Sequence, residues 1–533
     1  MQTRLARWSR MGRAELWRRG WWPSGAATAA VSRGGCDAEA ERRRPTQRAW
    51  RGWLLVGLLL FPLGVYAPAV FHRYGFRDDY AVLREAREES GKVFQFCAAQ
   101  ARPLLGWLQE HSFRLADGID DLRWLRLTGT LLLGVVTATL FVLLRRAGWA
   151  AVEAMLVAAL IVVLPSAQLI ASWAVAWPLA GAVLLALAAF AWAERGLGRR
   201  EGRAWALGGA VVLMAASALT YQPSAQFYCV AMVAVAVTRA GRPQETWRWL
   251  AGHGVVAGTG LALAFGLMLA VFAAGWLPES KRVAVEADIP GKLAWLAGRP
   301  LQNALATIVL NRQGGAPAVG WTALLTGAAI AAGLARRGWR AGWSGVAVAG
   351  LAAAGTVVVN LAVADRWPAY RVIFALAAGG VVLLAAALSE LGGRRAARGV
   401  LAVMLLVGAG LAARQSFGLV AWPQGLELNL LEAGAARIDP ALRPSVFVLT
   451  PHADEHAAVS RYGDEFGSLT TDSYWAPKEI LKHIMRARYP GMPDVNERYR
   501  FECGHQLPPG RTYDVVIDLH RVRGYRPAAA RER

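Results

Sequence analysis

Apolar residues in this chain gather into long blocks, most of them near the length that crosses a bilayer, with short polar or basic stretches between them. A hydrocarbon core of about 30 Å needs about 20 helical residues. Inside it, every backbone N–H and C=O must find a partner within the spanning structure, so unbroken apolar blocks of this length become helices. Reading along the chain predicts about eleven spans. They are Trp53–Phe71, Leu125–Leu144, Trp149–Leu164, Leu169–Ala193, Ala204–Thr220, a block after Gln226, Leu250–Trp276, Trp321–Ala335, Gly342–Val363, Val372–Leu391 and Val400–Ala413. The expected fold class is therefore an α-helical polytopic membrane protein. Leu301–Gly320 is too polar for a clear span, carrying Asn303, Asn311 and Arg312, and reads as a re-entrant or interfacial helix.

The formal charge of +22 across 533 residues does not form the single basic surface that a nucleic-acid-binding domain presents. Arginines cluster between apolar blocks instead, as in Arg145-Arg146, "ERGLGRREGR", "RAGRPQETWR", Arg336-Arg337 and "GGRRAARG". Such Lys/Arg bias marks cytoplasmic loops. With the N-terminus inside and eleven spans, every one of these clusters falls on the cytoplasmic side and the C-terminus lies outside. Nucleic acid is excluded as a partner, and membrane lipid is implied.

Three regions follow. Residues 1–51 are a basic leader, read as a disordered cytoplasmic tail ahead of a signal anchor, because no small-residue cleavage site closely follows the first apolar run. Residues 52–415 are the membrane bundle, with an outer loop at 72–123. Residues 424–533 read as a small extracytoplasmic α/β domain. There "SVFVLT" and "TYDVVIDLHRV" have the β-branched content of strands, and "PKEILKHIMRARY" has helical apolar spacing behind a proline suited to a helix start. Of the four cysteines, Cys97 and Cys503 share the outer side; two unpaired thiols and a disulfide are both open there.

The residues that carry chemistry gather where spans meet the outer surface: Asp78 and Asp79 in the first outer loop, Tyr221 and Gln222 in the third, Lys281, Arg282, Glu286 and Asp288 in the fourth, and Asp365, Arg366, Tyr370 and Arg371 in the fifth. Asp78 and Asp79 follow the first span in "YGFRDDYAVLREARE". Two carboxylates sharing a site cannot both ionise freely, which suits one as a general base and leaves the other to orient it. The same pair also suits the positive end of an amphipathic helix as its cap. Both readings stand together, since a capped helix is a rigid mount for a base. Arg371 and Arg366 in "DRWPAYR" can bind a lipid phosphate bidentately, and interfacial anchoring by Arg371, Trp367 and Tyr370 is the alternative. Tyr221 and Gln222, in a proline turn between two spans, can contact a sugar or simply make the turn. Glu153, near the inner end of the third span, reads as a residue that snorkels or packs in the bundle. No spacing of Cys, His or carboxylates indicates a metal site.

This order of motifs resembles the GT-C superfamily of polytopic glycosyltransferases, and more narrowly the bacterial glucosyltransferases that decorate O-antigen and other surface polysaccharides. The resemblance rests on "FRDDY", on "ARPLLGWL" with "DGIDDLRWLRLTG" behind it, and on "LTYQPSAQFY", "DRWPAYR" and "YGDEFGS". It spans roughly residues 52–533, and Ala101 stands where that family commonly has glycine before Arg-Pro. It implies a multi-pass protein of the bacterial inner membrane. The donor it implies is a polyprenyl-phosphate sugar, attacked with inversion from outside the membrane by a surface glycan or a lipid-linked acceptor. Asp78 or Asp79 would be the catalytic base, Arg371, Arg366 and Arg102 the donor-phosphate ligands, and Tyr221, Gln222 and Tyr370 the substrate contacts. Some members of the superfamily use a divalent metal, and the acidic pair alone does not indicate one. The chain has no strand, glycine-rich turn and helix of the kind that binds a nucleotide sugar. A flippase or transporter for a lipid-linked saccharide, a polysaccharide polymerase or ligase, and a non-catalytic membrane scaffold are the competing readings.

Overall fold

In the computed structural model of this chain the described residues are 44–198, 201–239, 243–312, 316–452, 462 and 465–524. The basic leader read over residues 1–51, with Cys36, lies almost wholly outside them, as do parts of the "ERGLGRREGR", "RAGRPQETWR" and "YGDEFGS" motifs and residues 525–533. The chain divides into two compact units, Met1–Leu54 and Leu55–Arg533. Of the first, only the start of the helix Arg44–Phe71 is described. The second holds the rest of that helix, the other spans and the C-terminal sheet.

The protein is α-helical and polytopic, but eleven spans is an overcount. Among the described residues seven helices are long and apolar enough to cross a membrane: Gly52–Phe71, Ile119–Arg146, Ala174–Gly198, Arg203–Ala225, Pro243–Ala273, Pro317–Ala341 and Phe374–Ala435. Ala151–Ile161 and Pro165–Ser172, bent by 59° at the break between them, make at most an eighth. Three blocks fail by length, and the two read at 372–391 and 400–413 lie in the single segment Phe374–Ala435. Phe227–Ala236 has 10 residues and Trp343–Gly355 has 13, about 15 and 20 Å of helix at 1.5 Å per residue. The apolarity of Phe227–Ala236 has another cause, since most of it is buried, whereas Trp343–Gly355 keeps Trp343 and Leu351 exposed. Every residue from Leu156 to Ala176 is buried, so that stretch is apolar because it fills the middle of the bundle. Composition cannot tell a residue facing protein from one facing lipid.

The 62-residue segment Phe374–Ala435 is broken within by Gly393, whose φ of +75° only glycine adopts readily. Ser166 Oγ donates to Tyr370 O at 2.5 Å, and Gln168 Nε2 donates to Gln415 Oε1 at 2.9 Å. Residues 370 and 415 therefore return to one short helix, and the segment folds back at Gly393. Glu153 is buried, so of its two readings it packs rather than snorkels, and it pairs with Arg398 at 3.1 Å near that bend.

Between the first two spans the chain forms three short helices, Asp78–Glu88, Lys92–Ala98 and Pro103–Arg114. After the last span comes the expected small sheet, three parallel strands in the order β2-β1-β3, with β1 Ser445–Leu449, β2 Arg500–Gly504 and β3 Val515–Asp518. The helix Ala476–Arg488 joins β1 to β2. It packs on Asp78–Glu88 through Arg84–Glu479 at 2.6 Å, through Arg486–Glu88, and through a bond from His483 Nε2 to Tyr80 O at 2.8 Å. Cys97 and Cys503 are unpaired; Cys97 Sγ bonds Gln109 Oε1 and Cys503 Sγ bonds Tyr474 O.

The first two spans touch backbone to backbone within this unit. A Cβ on Gly134 would lie 2.1 Å from Leu59 O, whereas one on Gly181 would meet nothing within 4 Å. Gly134→Val is expected to destabilise the folded protein by about 1–3 kcal/mol. Gly181→Ala should be neutral or stabilising by about 1 kcal/mol. Melting of the two variants in detergent checks both signs.

Candidate active site

The chain leaves the first span into a turn whose backbone groups are closely accounted for. Arg126, fully buried on the second span, donates to three carbonyls of that turn: Val70 O at 3.2 Å, His72 O at 2.7 Å and Tyr74 O at 2.8 Å. Tyr74 Oη donates to Ser172 O at 2.6 Å, and Gly75 N donates to Tyr80 Oη at 3.0 Å. Gly75 has to be glycine, since a Cβ there would lie 2.7 Å from the Tyr80 ring. Arg77 sits at φ +47°, a strained value for a side-chain-bearing residue. It is held there by Thr470 Oγ1 on its N–H (2.9 Å) and Ser468 Oγ on its guanidinium (3.0 Å).

The acidic pair follows, and the structure gives its two members different surroundings. Asp79 is fully buried; its carboxylate accepts from Phe76 N and Val175 N, both at 2.9 Å, closing the helix start and tying it to the bent apolar segment. Burial raises its pKa to about 7, against the opposing pull of those N–H groups and of Arg126. Asp78 is accessible to solvent and, among the described residues, has no hydrogen bond or ion pair. It lies on the wall of a cavity of about 760 Å³, in the range that holds small-molecule ligands. The surrounding protein raises the Asp78 pKa from the ordinary carboxylate value, and the nearby guanidinium groups of Arg371, Arg77 and Arg282 oppose that rise.

Six cationic side chains line this cavity (Arg77, Arg84, Lys92, Arg102, Arg282, Arg371) against three carboxylates (Asp78, Glu85, Glu479). Trp173, Tyr221, Trp367 and Trp475 supply aromatic wall, and Val82, Val93, Phe96, Leu105 and Leu179 supply apolar wall. The cations are held differently. Arg371 lies over Trp173 (5.0 Å to the ring centre) and pairs with Glu465, a fully buried carboxylate from the C-terminal extension that also faces Arg77 at 3.8 Å. Arg102 lies over Tyr221 (4.7 Å) and donates to Gln222 Oε1 at 2.9 Å. Gln222 in turn donates to Ala101 O at 2.8 Å. Ala101 has φ +58°, a left-handed turn that explains why glycine suits this position.

The structure thus brings together Asp78, Arg102, Arg371 and Tyr221 around one cavity, with Gln222 behind Arg102. Tyr221 reaches the wall because the helix Arg203–Ala225 breaks there, at φ −158° and ψ 107°, two residues before Pro223. Three candidates sit elsewhere. Asp79 is spent on the turn. Tyr370 is buried away from the cavity, its Oη accepting from Asn311 N at 2.8 Å and its ring against Phe466. Arg366 is outside the cavity wall, paired with Asp288 at 2.9 Å and Glu286 at 3.3 Å. Residues to which sequence alone assigns no role are Arg77, Trp173, Glu465, Trp475 and Glu479. Position gives a signal for Arg77, directly before the aspartates, and for Glu465, inside the "YGDEFGS" motif.

A scan against protein-family models gives no match, and comparison with curated proteins finds no significant relative. Among the described residues no group of three or more His, Cys, Asp or Glu side chains has the arrangement to hold a metal ion.

The two aspartates should separate on mutation. Asp79→Asn puts an amide where two backbone N–H groups need acceptors and is expected to cost about 1–3 kcal/mol of stability, while Asp78→Asn should leave melting in detergent unchanged. With a folded pKa of about 7 against about 4 unfolded, native Asp79 holds a proton that the unfolded chain has released in that interval. Its contribution to stability is therefore fully present below pH about 4 and is lost as pH rises toward about 7. A pH series of melting temperatures on the wild type and Asp79→Asn should show that slope flattened in the variant.

Proposed function

We propose that this protein is a membrane glycosyltransferase that moves a sugar from a polyprenyl-phosphate donor to a surface glycan or lipid-linked acceptor, with inversion, using Asp78 as general base. The observation that carries the reading is the unpaired Asp78 carboxylate inside a cavity rich in guanidinium groups and aromatic faces. Asp78 takes the proton of the acceptor hydroxyl. The hydroxyl oxygen attacks the anomeric carbon from the face opposite the phosphate, and the bond from that carbon to the phosphate oxygen breaks. Polyprenyl phosphate leaves with the electron pair, and guanidinium groups balance its charge. Aromatic rings of the wall offer faces on which a sugar ring stacks, and apolar wall accommodates the start of an isoprenoid chain.

The charge pattern supports an outward-facing cavity in a bacterial inner membrane. In the helix Ala174–Gly198, Val175 and Ala176 at the start line the cavity and Arg195 lies near the far end; in Arg203–Ala225, Arg203 begins the helix and Tyr221 near its end lines the cavity. Arginines at the ends remote from the site mark those ends as cytoplasmic. One feature favours a carrier for lipid-linked saccharides instead: the bent helix pair Ala151–Ile161 and Pro165–Ser172. A carrier moves its cargo without breaking the sugar–phosphate bond.

Transfer from a radiolabelled polyprenyl-phosphate hexose to cell-envelope glycan, in membranes of cells making this chain, tests the reading. Asp78→Asn should lose at least about a hundredfold in rate while inserting normally. The acid limb of the wild-type rate profile should fall above the ordinary aspartate pKa of about 4, with rate rising as Asp78 ionises. Full transfer by well-inserted Asp78→Asn would refute the base assignment; movement of intact donor with no cleavage would favour the carrier.

A further inference from the structure

The guanidinium groups around the cavity are not equivalent as anion ligands. Arg371 and Arg77 share the buried Glu465, and Arg84 is engaged by Glu479 and Glu89. Arg102 and Arg282 differ. Among the described residues neither forms an ion pair, and the hydrogen-bond and ring partners of each are neutral: Gln222 and the Tyr221 ring for Arg102, Gln100 Oε1 at 3.2 Å and the Trp367 ring for Arg282, with the Asp78 carboxylate near enough to feel the Arg282 charge without pairing with it. A cation whose partners are neutral amides and ring faces keeps its charge for a ligand.

Their position sets them apart as well. Arg102 and Arg282 line the large cavity and also a smaller cleft of about 60 Å³ that meets it. The rest of that cleft is mainly apolar, including Phe265, Trp295, Val359, Val363 and Val372, with Gln100, Gln222, Asn360 and the carboxylate residue Asp365 also on its wall. At about 15 Å³ for each water-sized group, it has room for about four of them, a little less than the five carbons of one isoprene unit. Phe265 belongs to the helix Pro243–Ala273, whose Leu263, Leu267 and Leu269 are exposed as a lipid-facing surface requires.

We infer that Arg102 and Arg282 together bind the phosphate of an isoprenyl monophosphate, with its first isoprene unit in the smaller cleft and the sugar-bearing side toward Asp78. This rests on the glycosyltransferase reading and deepens it. It moves the phosphate away from Arg371, which already has Glu465 as a partner, and gives the site to Arg282, on the loop between Pro243–Ala273 and Ile289–Leu305.

The test is binding by the purified full chain in detergent, titrated separately with farnesyl monophosphate, farnesol and inorganic phosphate. The wild type should bind farnesyl monophosphate at least tenfold more tightly than either fragment. Arg282→Met and Arg102→Met should each weaken that binding at least tenfold, and Arg282→Lys should weaken it less. Val363→Phe, which narrows the cleft, should weaken farnesyl monophosphate and leave inorganic phosphate unaffected. Arg282 is exposed, so the ligand-free Arg282→Met variant should melt like the wild type, which separates lost binding from lost folding. Wild-type affinity in Arg282→Met overturns the inference. Equal affinity for inorganic phosphate assigns the pair to a free phosphate and overturns its lipid half; equal affinity for farnesol overturns its anionic half. A wild type that binds no farnesyl monophosphate at all defeats the donor reading on which the inference rests, a result distinct from binding that ignores these two arginines.

Discussion

A buried arginine sets the geometry on which the rest depends. Arg126 is fully buried on the second span and gives its guanidinium to three carbonyls of the turn leaving the first. A buried charge is tolerable only when hydrogen bonds replace its water, and removing its partners leaves it uncompensated. The turn is thereby fixed to the second span, and Asp79 fixes its far end to Val175 on the central apolar segment. Asp78, the residue before Asp79, is carried by the same anchored helix start onto the cavity wall. Its carboxylate faces the cavity because its neighbour has taken the structural role.

The C-terminal extension completes that mount. Thr470 and Ser468 hold the strained Arg77 turn, and Glu465 pairs with Arg371 and faces Arg77. Gln424, on the last apolar segment, orders this stretch in turn: it donates to Ser468 O at 2.6 Å and accepts from Thr470 N at 3.0 Å. Residues nearly 400 positions apart in sequence thus build one wall. The extension is part of the cavity rather than an appendage to a finished bundle, and its own helix contributes Glu479 to the lining.

Much of the local structure was legible in the sequence. The strands at 445–449 and 515–518 and the helix between them follow from β-branched runs and apolar spacing. "DDYAVLREARE" reads as a helix with acid at its start, and it is one. The number of spans was not legible, because blocks such as 156–176 are apolar for contact with protein, and hydropathy carries no label for the neighbour. The division of labour in the acidic pair was not legible either. Adjacent aspartates look alike until Phe76 and Val175 turn out to point their N–H groups at only one of them. Arg366 and Arg371 looked equivalent for the same reason. Their partners, Asp288 and Glu286 for one and Glu465 for the other, come from distant parts of the chain.

The central claim is that one aspartate of the pair is structural and the other is free for chemistry. Carbodiimide coupling of carboxyl groups in the folded protein, read residue by residue by mass spectrometry, tests it most directly. Asp78 should be modified, and protected when an isoprenyl phosphate is bound, while Asp79 stays unmodified until the protein unfolds. Modification of Asp79 in the folded state, or an Asp78 that is inert with the cavity empty, would contradict the account.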